Sequence, residues 1–428
     1  MKVRSLKGMN DILPPEVYLW QFVEEAAREV LEGFGYKEIR TPILEETSLF
    51  QKSIGEGTDI VNKEMYTFTD RGGRSLTLRP EGTAPIVRSY IENNLSADDY
   101  LKFYYIGPMF RSERPQKGRS RQFHQIGVEA IGSSDPYIDG GSIFLLSELL
   151  RKVGLDGFRI KLSSLGCAKD KQRLAKELRA YLLPEKNRLC EDCRIRLEKN
   201  VLRTLDCKIE SCKALLRNSP KAKDFLCPDC REHYNTVKKY LNTQPSVYFI
   251  EDPNMVRGLD YYTKTVFEVT HSALGAQDAI AAGGRYDNLI EDFGGKKTPA
   301  IGFAIGIERL LMALPPEKKK EIESKKEKKL VYIATTSSDA YNKAYEVLKP
   351  FRFEDEKFVY EINYDRTRSL KAQMRQADKK KASFVAIFGD EELKRNEVIL
   401  RNMKTSEQKK IELNKFSKEF EEVIKREI

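Results

Sequence analysis

The chain is predicted to be an α+β protein of two or three domains, in which an antiparallel sheet flanked by helices is interrupted by a mainly helical insertion and followed by a small α/β domain. Three observations carry that expectation. At 428 residues the chain exceeds what one hydrophobic core organises. Strand-like segments cluster before residue 165 and resume after residue 250. Between them lies Lys-rich, helix-patterned sequence that holds all seven cysteines.

The elements follow in order. Val17, Phe22, Val23, Ala26, Val30 and Leu31 recur near the 3.6-residue period, which predicts an amphipathic helix from about Pro15 to Leu31. Gly33 and Gly35 end it, and Tyr36 to Thr41 reads as a strand stopped by Pro42. Ser75 to Arg79, Phe103 to Ser112 and Gln122 to Ile131 read as strands of an antiparallel region. The last two are joined by a basic loop, Arg114 to Arg121. Leu165 to about Gln244 is the insertion, after which Tyr261 to Val269 and Ala281 to Tyr286 return to strand character. Glu317 to Lys329 mixes seven Lys with four Glu and predicts a solvated linker or short helix. Beyond it, Lys329 to Thr335, Phe358 to Asn363 and Ala382 to Phe388 read as strands, alternating with helices near Tyr341 to Lys349 and Leu370 to Ala377, a pattern with a parallel component. The expected partition is 1–164 and 251–316 for the core, 165–250 for the insertion, 317–329 for the linker and 330–428 for the terminal domain.

Composition narrows the function classes without choosing one. No apolar run of about 18 residues is present, so no membrane span is expected. No apolar segment follows Met1-Lys2-Val3-Arg4, so no signal peptide is expected and the cytoplasm is the expected location. The net charge of +10 suits a polyanionic partner such as RNA or ATP, and a charge-rich thermophile surface would look the same. An odd number of cysteines confined to 167–230 argues for reduced thiols or a local metal site over a disulfide framework.

The chemistry begins at Phe123-His-Gln-Ile-Gly-Val-Glu-Ala-Ile131. Strand alternation sets Ile126, Val128 and Ala130 on one face and Gln125, Gly127 and Glu129 on the other. The second face presents an amide, a gap and a carboxylate to a cleft that Arg111 adjoins from the preceding strand. The solvent side of an ordinary antiparallel sheet would give the same alternation. His124 falls on the core-facing side, which argues against a catalytic role.

Longer segments resolve that ambiguity. Phe110-Arg-Ser-Glu-Arg114 with Arg121-Gln-Phe-His-Gln125 resembles the second signature of class II aminoacyl-tRNA synthetases, and Gly302-Phe-Ala-Ile-Gly-Ile-Glu-Arg-Leu310 resembles the third. The helix and strand ending at Pro42 correspond to the first. Arg257-Gly-Leu-Asp-Tyr-Tyr-Thr263, Ala281-Ala-Gly-Gly-Arg-Tyr-Asp287 and Leu78-Arg-Pro-Glu-Gly-Thr-Ala84 are similar to segments of the histidyl-tRNA synthetase family. The resemblance runs through essentially the whole chain in the family's order.

The resemblance implies a class II sheet, a C-terminal anticodon-binding domain, and a ligase that activates L-histidine with ATP and Mg2+ and transfers it to tRNA(His). It assigns Arg111 to bridge the amino-acid carboxylate and α-phosphate, Arg257 to the α-phosphate, and Arg309 to the far end of a bent ATP. Arginine suits these roles because its fork is always charged and matches carboxylate and phosphate. Arg309 also falls near the start of a helix with the apolar face Ile307, Leu310, Leu311 and Leu314, whose N-terminal potential would favour phosphate. Glu113, Arg119 and Phe123 complete the implied ATP site. Glu129 and Tyr262 are expected at the imidazole, with Glu81, Gly82, Thr83 and Gln125 around the ammonium and Tyr261 and Tyr286 lining the pocket. Core packing accounts for Tyr261 equally well. The Mg2+ carboxylates stay open, with Glu81 one candidate. The nucleophile is already ionised, so the first step needs no general base. Arg114 and Gln116 match the positions that reach the extra 5′ guanosine of this tRNA. A homodimer is implied by the first signature.

Cys190-x-x-Cys193 and Cys227-x-x-Cys230 are knuckle-type pairs, with Cys207 and Cys212 between them. Four thiolates from two such pairs suit tetrahedral zinc, so a structural Zn2+ on Cys190, Cys193, Cys227 and Cys230 is expected; reduced, semi-buried thiols would also account for them. The regulatory subunit of ATP phosphoribosyltransferase shares the catalytic core but typically lacks the terminal domain, which this chain retains together with Arg257 and Glu129. Arg257 to Thr263 argues against sister enzymes for proline, threonine or glycine. Asp292-Phe-Gly294 lacks kinase companions, and no G-x-x-x-x-G-K-[ST] run provides a P-loop.

Overall fold

The computed structural model describes all residues except 1–2, 56–57, 96–99, 276–277, 350–357, 366, 417–418, 421 and 423–428. The chain divides into two compact units, Met1–Ile322 and Glu323–Ile428.

The first unit is built on an eight-stranded sheet. Its strands are β1 (Lys37–Glu38), β5 (Leu101–Phe110), β6 (Gln122–Ile131), β7 (Arg159–Ser164), β8 (Phe249–Glu251), β9 (Thr263–Thr270), β10 (Ala279–Arg285) and β11 (Ala300–Gly306). They lie in the order β1-β5-β6-β11-β10-β9-β7-β8. Only the edge pairs β1–β5 and β7–β8 are parallel. The expected strand over Tyr36 to Thr41 shrinks to the two residues of β1. Strands β2 (Leu44–Glu46), β3 (Tyr66–Thr69) and β4 (Ser75–Leu78) form a separate antiparallel sheet, so the segment from Ser75 does not join the main one.

Helices make up the rest of this unit. These are α1 (Glu16–Gly33), α2 (Thr47–Ile54), α3 (Thr83–Glu92), α4 (Pro136–Lys152), α5 (Ala168–Leu182), α6 (Glu191–Lys199), α7 (Glu210–Leu216), α8 (Pro228–Asn242), α9 (Leu289–Asp292), α10 (Ile307–Ala313) and α11 (Pro316–Lys326). Helix α1 buries Leu19, Trp20, Val23, Ala26, Ala27 and Leu31 in one core with Ile126, Val128 and Ala130 of β6. That core fixes the orientation of β6: a one-residue slip would send its apolar residues to the opposite face. His124 lies on this same side, edge-on to Trp20 with ring centroids 4.9 Å apart. Helix α4 starts at Asp135, whose carboxylate accepts the amide of Tyr137, with Pro136 at the first helical position.

The insertion is helical as expected, α5 to α8 with 3-10 turns between them. Residues 317–329 are mostly the helix α11.

In the second unit β12 (Lys329–Thr335), β13 (Phe358–Ile362) and β14 (Phe384–Phe388) are parallel, with α12 (Ser338–Leu348) and the helix Leu370–Lys379 in the connections. The sheet continues through an antiparallel pair that the sequence pattern did not reveal, β15 (Glu397–Asn402) and β16 (Gln408–Glu412).

Candidate active site

The cleft floor follows from the register of five strands. Across the sheet, Tyr105 faces Gly127, Gly127 faces Ala304, Ala304 faces Ala282, and Ala282 faces Glu268. Three small residues in the middle leave a trough with an aromatic ring at one end and a carboxylate at the other. One step along, Glu129 faces Gly302 and Gly302 faces Gly284. A Cβ on Gly302 would sit 1.8 Å from Glu129 Oε2, so glycine there is a condition for the carboxylate's position.

The cavity above this floor is about 310 Å3. Its wall includes Glu81, Thr83, Arg111, Glu113, Arg119, Phe123, Gln125, Arg257, Tyr261, Tyr262, Tyr286 and Arg309, residues drawn from segments up to 228 positions apart in the chain (309 minus 81). Glu129 lies one layer behind that wall and is 1 % exposed. Its Oε1 accepts Thr83 Oγ1 at 2.7 Å and its Oε2 accepts the Tyr286 hydroxyl at 2.5 Å. Burial pushes the Glu129 carboxyl up to about 8, against the opposing effect of those two donors. Glu81 is buried too. It accepts the amides of Thr83 (2.6 Å) and Ala84 (2.9 Å) at the start of α3. Burial outweighs these bonds and raises its pKa. Gly82 stays off the wall, packed beneath Tyr105, whose ring lies 2.2 Å from where a Cβ would be. The tyrosines pack on one another, with 4.8 Å between the Tyr261 and Tyr262 centroids and 5.7 Å between those of Tyr261 and Tyr286. Burial lifts Tyr262 to about 12, so its hydroxyl is a neutral donor and acceptor.

The other end of the cleft is cationic. Arg111 donates Nε to Pro80 O at 2.9 Å and lies over the Phe123 ring, 5.2 Å from its centroid. Arg257 pairs with Glu268 at 2.5 Å and Arg119 with Glu113 at 2.8 Å. Arg309 donates to Gly118 O (3.0 Å) and Ala279 O (2.7 Å). Burial, then the Arg119 charge, lowers its pKa, from an ordinary value so high that the guanidinium still stays charged. Gln125 Oε1 and Arg257 Nε are buried with no hydrogen-bond partner among the described residues. Such orphaned atoms in a cleft fit a bound polar group.

Arg114 and Gln116 are not brought into the cleft. They are exposed on the hairpin between β5 and β6, whose tip is closed by the reciprocal bonds Gln116 N to Arg119 O (3.1 Å) and Arg119 N to Gln116 O (2.9 Å), with Gly118 at φ +74°.

The expected four-cysteine set does not form. Cys190 and Cys193 converge with Cys207 and Cys212, whereas Cys227 and Cys230 converge with Cys167 and Asp170. The physical reason is that each C-x-x-C pair opens a different helix. Cys190 caps α6 and Cys227 caps α8 with the same backbone angles, φ −64° and ψ 164°, and the two helices have different neighbours.

Three participants escaped the sequence reading. Glu268 and Tyr105 enter the cleft through cross-strand register, which single-strand alternation does not supply. Arg285 lies in the Ala281–Asp287 motif but is fully buried, paired with Asp139 and bonded to Ser133 O at 2.8 Å. Asp139 also takes His233 Nε2 at 2.8 Å. That network anchors α4 and α8 to the sheet, and breaking such a buried pair costs about 3–5 kcal/mol.

Comparison with known proteins adds independent findings. The family described as "Histidyl-tRNA synthetase" matches residues 8–310, and one described as "Anticodon binding domain" matches 330–423. The histidine–tRNA ligase of Halothermothrix orenii is 47% identical over 426 residues, covering 99% of this chain and 100% of that protein. That of Thermodesulfovibrio yellowstonii is 48% identical over 415 residues, covering 97% of each. The crystal structure of apo Staphylococcus aureus histidyl-tRNA synthetase superposes with a TM-score of 0.78 at 35% identity, over 98% of this chain and 100% of that one. A Bacillus halodurans protein described as an ATP phosphoribosyltransferase regulatory subunit/histidyl-tRNA synthetase shares the fold, with a TM-score of 0.67 at 22% identity over 91% of this chain and 99% of that one.

Proposed function

The chain belongs to the histidyl-tRNA synthetase family and is a histidine–tRNA ligase, and from that premise we propose how its cleft divides the reaction. Histidine is activated by ATP to an adenylate with loss of pyrophosphate, and the histidyl group then passes to the 3′ end of tRNA(His). The observation that carries our residue assignment is the polarity of a single cavity, with buried Glu81 and tyrosines at one end, Glu129 directly behind them, and four arginines at the other.

The carboxylate–tyrosine end receives the amino acid. Glu81, Thr83 and Gln125 surround the ammonium, with Gln125 Oε1 the orphaned acceptor and Gly82 holding the turn into α3. Tyr262 and Glu129 read the imidazole. Because Thr83 and Tyr286 already donate to Glu129, an imidazole N–H competes with one of these hydroxyls for the same carboxylate. A polar pocket of this kind rejects analogues lacking the donor, since its buried groups would go unpaired. Tyr261 and Tyr286 wall the ring in.

At the arginine end the nucleophile is the histidine carboxylate, already ionised, and it attacks the α-phosphorus as the bond to pyrophosphate breaks. Arg111 spans the carboxylate and α-phosphate, Arg257 meets the charge that builds there, and Arg309 holds the terminal phosphate. Phe123 supports Arg111 and the adenine, with Glu113 and Arg119 beside it. Fixed positive charge placed before the reaction is the main source of rate in such a transfer. Mg2+, which the family uses, neutralises phosphate charge. Glu113, Glu268 and Glu308 are the carboxylates that line that end; Glu308 is engaged by His124 and both Glu81 oxygens by backbone amides, so Glu113 and Glu268 would hold the ion.

Arg114 and Gln116, exposed on the adjoining hairpin, are assigned to the acceptor end of tRNA. The core is assigned to 1–164 and 251–316, the insertion to 165–250, and anticodon recognition to 330–428. A cytoplasmic homodimer completes the reading; among the described residues no helix is long and apolar enough to cross a membrane. ATP–pyrophosphate exchange with each of the twenty amino acids tests it. Exchange with histidine alone is expected, and stronger exchange with another amino acid would overturn it.

A further inference from the structure

Two helices of the insertion bury few residues each. Helix α6 buries only Cys193 and Leu197, and α7 buries Cys212, Leu215 and Leu216. Helices of nine and seven residues are too short to hold themselves, so they depend on the core they share with their neighbours, and cysteines are part of that core. The four sulfur atoms of Cys190, Cys193, Cys207 and Cys212 lie within 4.8 Å of one another at the junction of these helices.

We propose that these four cysteines bind one structural zinc ion, which braces from behind the segment that carries Arg257. Zn–S bonds of about 2.3 Å at tetrahedral angles set sulfur atoms about 3.8 Å apart. Cys190 Sγ and Cys207 Sγ are 3.8 Å apart. A disulfide needs about 2.05 Å, and all seven cysteines are free. The Cys190 amide donates to Cys212 Sγ at 3.2 Å, which orients that sulfur. The pairs C-x2-C and C-x4-C fall within the ligand spacing of structural zinc sites. A single ion fits this spacing, because an iron–sulfur core would spread the thiolates further.

The second cluster marks the contrast. Cys167, Asp170, Cys227 and Cys230 also converge, but Asp170 already accepts the amides of Cys167 and Cys227, each at 3.2 Å, and Arg173 at 2.5 Å. Its carboxylate clasps the starts of α5 and α8, so this cluster takes no metal.

The brace reaches the cleft over a short path. Cys193, Cys207 and Cys212 share a core with Met255, Val256 and Tyr262. From the stretch between the two cysteine pairs, Arg203 donates to Arg257 O at 3.1 Å and Asn200 to Asp260 Oδ1 at 3.0 Å. Arg203 and Asn200 are thus positioning residues for the Arg257 segment.

Elemental analysis of the full chain, purified without chelator, tests the proposal independently of catalysis. About one zinc per chain is expected; none, or two, would overturn it. Cys212→Ser is expected to lose the zinc and Cys227→Ser to keep it, and the reverse pattern contradicts the assignment. Protein produced with cobalt in place of zinc should show the intense visible ligand-field bands of tetrahedral thiolate cobalt; iron–sulfur absorption in the protein as isolated would refute a zinc site. Should Cys212→Ser fail to fold, titrating the wild-type chain with a mercurial thiol reagent while following released zinc with a dye gives the same answer. Release of zinc should cut histidine-dependent exchange at least several-fold, and unchanged exchange after complete release would refute the brace.

Discussion

The two ends of the cleft solve opposite problems. At the amino-acid end the charged groups are hidden: Glu81 and Glu129 are 4 % and 1 % exposed, and their ordinary acidity is suppressed by burial. At the phosphate end the guanidinium side chains of Arg111 and Arg257 keep 21 % and 20 % of their surface and each faces a carboxylate. Burial makes a polar group discriminating, because leaving it unpaired is expensive. Partial exposure leaves these cations able to exchange an internal carboxylate for a phosphate. The difference teaches that selection and rate reside in chemically distinct halves, so substitutions should separate them.

The largest effect is expected at the phosphate end. Arg111→Ala should lower kcat/KM for histidine-dependent exchange by about 10²–10³-fold. The defect should be equal at pH 6 and pH 9, since guanidinium does not titrate there; a pH-dependent defect would blur the two halves. Next, Glu129→Gln should raise KM for histidine about 10- to 100-fold, the cost of leaving a buried polar group imperfectly paired, while KM for ATP changes little. Equal losses for both substrates would break the comparison. Tyr286→Phe removes one donor to Glu129 and should cost about 2- to 10-fold in the same parameter.

The smallest effect is on stability. Burial raises Glu129 from 4.5 to about 8, so the folded chain holds a proton there that the unfolded chain releases. That contribution is complete below pH 4.5 and is lost as pH rises through about 8. Glu129→Gln has no such group to ionise. Its Tm relative to wild type should therefore be more favourable at pH 9 than at pH 6, by a few degrees in thermal melts. A constant difference would mean that Glu129 is not held protonated.

Two strands were legible to the residue, Gln122–Ile131 and Lys329–Thr335. In the first, Ile126, Val128 and Ala130 enter a core that forbids slippage; the second is an apolar run buried on both faces. Pairing between distant segments was not legible. Ser75–Leu78 forms a second sheet, Glu268 reaches the cleft through a register of four neighbouring strands, and β15 and β16 carry charged residues that mask their period. Alternation along Gln122–Ile131 singled out Gln125 and Glu129 beside Arg111, and the longer motifs added Arg257 and Arg309. For the cysteines, nearest-looking pairs misled: the closer C-x4-C of Cys207 and Cys212 was the partner of Cys190 and Cys193, since short helices bring near neighbours together before distant ones.

Arg257→Ala, measured for histidine affinity by calorimetry and for pyrophosphate exchange in one preparation, tests the division of the cleft most directly. The expected result is a histidine Kd within about threefold of wild type, under 0.7 kcal/mol, with exchange reduced about 10²–10³-fold. Near-normal exchange, or a loss of histidine affinity as large as the loss of rate, would contradict it.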